Sequence, residues 1–177
     1  MGLWHVFYED WQMECCGRSF SVGEEVRWPV LLDDADDVLG GGWDDALTSI
    51  AGPAVVRLEV PAGDGSRHAG LLRVERHGDT WPELRGRVRA VQVVIQAYDR
   101  TPPGSSCWQP VPGQRRLRPV ERCPKWFSAP APEAPAAGGE RRWSQAGAMA
   151  TLEVPDLPST ALTDLLQKLS TAPAASR

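Results

Sequence analysis

The run Val88 to Tyr98, Val-Arg-Ala-Val-Gln-Val-Val-Ile-Gln-Ala-Tyr, constrains the fold more than any other stretch of this chain. Its β-branched residues suit a pleated, half-buried surface and argue against a helix. Strict alternation puts Val91, Val93 and Ile95 on one face. Val88 falls on the other face, with Arg87 and Arg89 opposite it. A strand that changes its buried face midway bends or carries a bulge, as strands of small barrels do. Upstream, Gly70 to His77 is a second β-rich run, and Gly78, Asp79 and Pro82 punctuate the connection between them. The pair is expected to form a long hairpin.

The remaining runs extend this picture. Residues 3–8 are apolar on both faces, as in a central strand, and Val26 and Trp28 share a face over 24–30. Val56, Leu58 and Val60 do so over 54–60. Trp108 to Val111 and Arg116 to Arg122 are expected as two short closing strands around a Pro112-Gly113 turn. Glu9, Asp10 and Cys16-Gly17 mark a loop. Trp43, Leu47 and Ile50 have helical spacing, and Gly52-Pro53 would end that helix. The expected class is mainly β: a small antiparallel SH3-like or OB-like barrel over residues 1–127 with one short helix.

Beyond Phe127 the composition shifts. Residues 128–147 are rich in Pro, Ala and Gly and are expected to be a disordered linker. In the tail, residues 148–177, Thr151 to Val154 has the makings of a short strand. Pro158-Ser159 then opens an amphipathic helix, whose Leu162, Leu165, Leu166 and Leu169 form one stripe. That stripe is a candidate docking face, on the barrel or on a protein partner.

No run approaches the roughly 20 apolar residues that span a bilayer, and the N-terminus has no basic leader. The expectation is a cytoplasmic protein without a membrane partner, in which Cys15, Cys16, Cys107 and Cys123 stay reduced. Charge is unevenly distributed. Residues 1–64 carry 13 acidic and 3 basic side chains, whereas residues 65–127 carry 5 and 12. Either the basic part meets nucleic acid, or the two parts complement each other within one fold. The pI of 5.4 favours complementarity, because nucleic-acid modules are usually strongly basic.

Four constellations are candidates for chemistry. Cys15, Cys16, His77 and Cys123 offer thiolate and imidazole ligands of the kind Zn²⁺ takes, although no Cys-x-x-Cys is present. Cys16 beside His5 or His77 has the makings of a nucleophile, without a helix-start context to activate it. Asp33-Asp34 and Asp36-Asp37 lack the EF-hand spacing and are expected to form a solvated acidic loop. For single-stranded nucleic acid, Arg85, Arg87, Arg89, Arg115, Arg116 and Arg118 would supply a basic groove, with Trp81 and Trp108 as stacking platforms.

The runs Trp4 to Gly17, Phe20 to Trp28, Arg85 to Val94 and Arg118 to Phe127 resemble an uncharacterised family of actinobacterial proteins, classed as a domain of unknown function. The resemblance covers residues 1–127 and implies no activity, cofactor or catalytic residue. No cofactor is therefore expected, with Zn²⁺ as the alternative. The leading expectation is a non-enzymatic β-barrel module acting through protein–protein contact.

Overall fold

The computed structural model describes residues 2–43, 58–61, 67–77, 81–100, 102, 104–127 and 141–155. Among these are β1 (Gly2–Glu9), α1 (Asp10–Cys16), β2 (Glu25–Asp34), β3 (Leu58–Pro61), β4 (Arg67–Val74), β5 (Glu83–Arg100), β6 (Trp108–Val120) and β7 (Arg141–Val154). The strands form one seven-stranded sheet in the order β1-β7-β5-β2-β4-β3, with β6 on the free edge of β5. A short parallel contact of β1 with β4, Val6 opposite Leu72 and Phe7 opposite Arg73, closes five of them into an uneven ring. No helix among the described residues is long and apolar enough to cross a membrane.

The change of face in β5 is built as a bulge. Its register against β7 slips between Val88 and Ala90, so Arg89 is the extra residue. Val88 and Val91 thereby both turn inward, where they, Val93 and Ile95 are buried. The ring interior is completed by Trp4, Val6, Tyr8, Val30, Val74, Leu84 and Leu152. Phe20 packs edge-on to Trp28 at 4.8 Å and, with Cys123 and Phe127, lies in this same core.

β5 and β4 do not form the expected hairpin. β2 lies between them, pairing β5 through Glu25–Pro29 and β4 through Val30–Asp34. β2 is ten residues long and apolar enough at Trp28, Val30 and Leu31 to occupy that central position. Three other expectations are corrected. Residues 10–16 are helix rather than loop, with Asp10 in the first turn, where a carboxylate favours the helix dipole. Trp108 to Val120 is a single strand, and Pro112-Gly113 sits in a register shift within it instead of turning between two strands. Residues 141–147, expected in the linker, begin β7, which lies between β1 and β5 along most of its length. There Ala146, Gly147, Ala148 and Ala150 are buried, because small side chains suit a strand crowded on both faces. The expected helices over 43–50 and 158–169, with the stripe Leu162, Leu165, Leu166 and Leu169, lie outside the described residues apart from Trp43.

The outer face of the ring carries a second core. Residues 35–43 fold over it, placing Ala35, Val38 and Trp43 on Phe7, Leu71, Val94 and Met149. Trp43 donates its indole N–H to the Val38 carbonyl at 2.8 Å, and its ring meets Phe7 at 5.4 Å. The acidic run is therefore half buried structure, held down by its apolar members. Arg115 covers Trp43 with its guanidinium 3.8 Å from the ring centroid. It donates to the carbonyls of Leu39 and Gly41 and to Gln96 Oε1. Gly42, at φ +69, sits so close to the β6 bulge that a Cβ would lie 2.6 Å from the Gly113 nitrogen.

Candidate metal centre

The last turn of α1 and the segment leaving β4 meet at one corner of the ring. α1 is held there from three sides. Gln12, buried on its inner face, accepts the Arg76 backbone N–H at 3.0 Å and so pins the exit of β4. Glu14 accepts the Phe127 N–H at 2.8 Å. Lys125 donates to the carbonyls of Met13, Glu14 and Gly17 at 2.6, 2.7 and 3.0 Å, satisfying the helix end with a cation. Gly17 lies so close against α1 that a Cβ would fall 2.5 Å from the Met13 sulfur. The two residues before it, Cys15 and Cys16, are thereby fixed at the surface.

One residue beyond Arg76, His77 reaches back over this turn. Its Nε2 lies 3.3 Å from Cys16 Sγ and 3.6 Å from Cys15 Sγ, and the two sulfurs are 2.6 Å apart. These three are the one group of potential metal donors converging within 4.8 Å among the described residues, and all three are exposed. Behind the imidazole stands Glu75, which is buried. Its Oε1 accepts the His77 backbone N–H at 2.8 Å and lies 3.7 Å from Nδ1. Trp11 stacks on the His77 ring at 5.1 Å, and Trp81 donates its indole N–H to the His77 carbonyl at 3.2 Å.

Electrostatics separates the chemical options. Hydrogen bonding to Cys15 holds the Cys16 thiol above its ordinary pKa, with burial and the neighbouring sulfur adding to the effect and Arg76 and Lys125 opposing it. A helix C-terminus also disfavours an anion. In the metal-free chain Cys16 is therefore held as the protonated thiol. The same negative end favours a cation, and a metal ion displaces the thiol protons on binding. With Zn–S near 2.3 Å and Zn–N near 2.0 Å, a tetrahedral edge is roughly 3.5–3.8 Å. The two sulfur–nitrogen separations fit that edge, and the sulfurs must spread by about one ångström to take it.

Cys123 does not join the group. It is fully buried in the ring interior, its S–H directed to the Pro124 carbonyl at 3.5 Å, and burial pushes its thiol up to about 12. It behaves as a small apolar core residue.

A family model described as a family of unknown function, DUF6578, matches residues 2–154. The chain belongs to that family. The match spans every strand described above, β7 included. No curated protein and no solved structure matches the chain.

In this DUF6578 chain the residues considered for nucleic acid fall into separate settings. Arg85 and Arg87 pair with Glu25 at 2.9 and 3.6 Å, and Arg89 pairs with Glu153 at 2.5 Å. With Arg73, which bridges Glu9 at 3.0 Å and Asp33 at 2.9 Å, Arg85 and Arg87 show the acidic and basic segments complementing each other. Arg115 is committed to Trp43 and the backbone carbonyls beneath it. Arg116 lies 4.5 Å from the Trp143 ring, and Arg118 is exposed. Trp108 carries the guanidinium groups of Arg100 at 4.9 Å and Arg142 at 4.4 Å. Trp81 is engaged at the His77 corner instead. The residues that sequence reasoning missed are Gln12, Glu75 and Lys125. Only Glu75 left a signal, since a spacing of two from His77 puts both on one face of an extended strand.

Proposed function

We propose that the chain binds one thiophilic d10 metal ion, in the first instance Zn²⁺, through Cys15, Cys16 and His77. The observation that carries this reading is the convergence of two thiols and an imidazole on one point, from elements 61 residues apart, with a buried carboxylate behind the imidazole. The Glu75 carboxylate stands 3.7 Å from Nδ1, placed to favour the tautomer protonated there, which leaves Nε2 free to ligate, once the two close to hydrogen-bond distance. Two sulfurs and one nitrogen leave the fourth tetrahedral position open to water or to a donor from a partner. Trp11 and Trp126, 48% and 64% exposed, offer apolar area near this corner for such a protein partner. The reading takes the protein as cytoplasmic, of SH3-like or OB-like type and actinobacterial as the sequence resemblance implies. In that compartment thiols stay reduced and able to bind metal.

The test is metal titration of the purified chain with Zn²⁺, and with Co²⁺ as a spectroscopic substitute. One ion per chain is expected, with sulfur-to-cobalt charge-transfer bands. Cys16→Ser and His77→Ala should each weaken binding at least 100-fold, Glu75→Gln by about 10- to 100-fold, and Cys123→Ser should change nothing. A wild-type chain that takes up no ion, or variants that bind as well as wild type, would overturn the proposal.

A further inference from the structure

The two sulfurs of the proposed centre belong to adjacent residues, and this gives the site a second chemistry. Cys15 and Cys16 are both exposed and in contact, 2.6 Å apart, with an imidazole nitrogen within 3.6 Å of each. They close α1, and the chain after them is extended at Gly17 (φ -76, ψ 164). A change in the Cys15–Cys16 backbone therefore disturbs one helix end and no strand of the ring. Of the other two thiols, Cys123 is sealed in the core, and Cys107 stands just before β6.

We infer that Cys15 and Cys16 form a reversible dithiol–disulfide couple, whose oxidation by a small organic disulfide discharges the metal ion. This rests on the metal reading of the same donors. In the metal-loaded chain one cysteine thiolate, already stripped of its proton by the ion, attacks a sulfur of R–S–S–R, forming a mixed disulfide and expelling R–S⁻. The neighbouring thiolate then attacks the cysteine sulfur of that mixed disulfide, closes the Cys15–Cys16 bond and expels the second R–S⁻. Two electrons leave the cysteine pair and reduce R–S–S–R to two R–S⁻, which take their protons from solvent. With both thiolates gone, His77 is the sole donor left, and the ion departs.

Adjacency also sets the direction of recovery. Neighbouring Cα atoms are about 3.8 Å apart across a trans peptide, inside the roughly 4.4 Å lower bound of relaxed disulfides. The closed ring is strained. Strained, exposed disulfides are the readily reduced ones, so a dithiol reductant restores the pair. The couple therefore senses a disulfide-rich environment and resets once that passes.

The experiment uses the full chain carrying Cys107→Ser, loaded with Zn²⁺ and treated with oxidised glutathione in the presence of a metallochromic indicator. Expected is release of one equivalent of Zn²⁺. In parallel, the tryptic peptide of residues 1–18 should lose two alkylatable thiols and about 2 Da, one hydrogen from each thiol. Dithiothreitol should reverse both. Adding Cys15→Ser should stop the reaction at a stable glutathione adduct on Cys16. Retention of both alkylatable thiols, or mixed and interchain disulfides as the end product, would overturn the inference. The metal reading fails separately. If the chain takes up no Zn²⁺, the mass shift of the metal-free chain still decides whether the couple exists.

Discussion

Two corners of the molecule are assembled from similar parts and end in opposite conditions. At the outer cluster Arg115 lies over Trp43 and donates to backbone carbonyls and to Gln96. At the thiol corner His77 lies under Trp11, and Lys125 holds three backbone carbonyls. In the first corner the cation is directed into the fold, and the indole beneath it is 2% exposed. In the second, structural work is left to Lys125, Gln12 and Glu14, and the sulfurs and the imidazole face solvent together. A side chain whose removal leaves buried groups without partners belongs to stability. One whose neighbours are already satisfied by others is available for chemistry, and the thiol corner meets that condition.

The comparison breaks if the outer cluster proves dispensable. Trp43→Ala should cost about 3–5 kcal/mol, since it empties a fully buried aromatic site, and denaturant unfolding would measure it. A cost near that of a surface substitution would refute the division. Lys125→Met should cost about 1.5–3 kcal/mol by removing charge-assisted bonds to three carbonyls. It should also lower metal affinity, because α1 then presents its sulfurs less firmly. Next comes pH. Burial lowers the pKa of His5, whose Nδ1 contacts Thr151 Oγ1 at 3.1 Å. The unfolded chain therefore binds this proton more tightly than the native one. Stability should be unaffected above about pH 6.5 and decline as pH falls from there toward the lower native value. Glu9 and Asp10, both raised by burial, act in the opposite sense but closer to the carboxylate range. His5→Gln should flatten the decline, and an unchanged melting profile from pH 7.5 to 5.5 would contradict it. The smallest effect is on the other side of the comparison. Cys15→Ser and Cys16→Ser should shift metal-free stability by no more than about 0.5 kcal/mol. Thiol titration of the native chain should count three reactive groups and a fourth only on unfolding.

Much of the ring was legible because it rests on short-range pattern. The inward face of Val91, Val93 and Ile95 and the kink before it follow from alternation alone. What was not legible depends on partners distant in the chain. Nothing local in Glu25 to Asp34 announces that it separates β4 from β5. Nor does the Ala- and Gly-rich Gln145 to Ala150 announce a central strand, since small residues carry no hydrophobic signature until neighbouring strands close in. α1 was missed because seven residues are less than two full periods, and only Gln12 and Met13 in it are buried. At the site, donor types grouped Cys15, Cys16 and His77, and the structure brings these three side chains together. Donor types also admitted Cys123, because residue type does not report burial.

The placement of β7 has a consequence for how the chain is made. β1 pairs along its whole length with β7, Gly2 opposite Val154 and Glu9 opposite Gly147. On the ribosome, β1 emerges well before β7 and must therefore wait for it. At about 5–20 residues per second, the interval is roughly 7–30 s. Throughout it, Trp4, Val6, Phe7 and Tyr8 lack β7 on that edge, and among the described strands their one other strand pairing is the brief parallel step onto β4. Nascent chains stalled before residue 141 should accordingly be protease-sensitive and bound by chaperones, and release should coincide with the appearance of Arg141 to Val154.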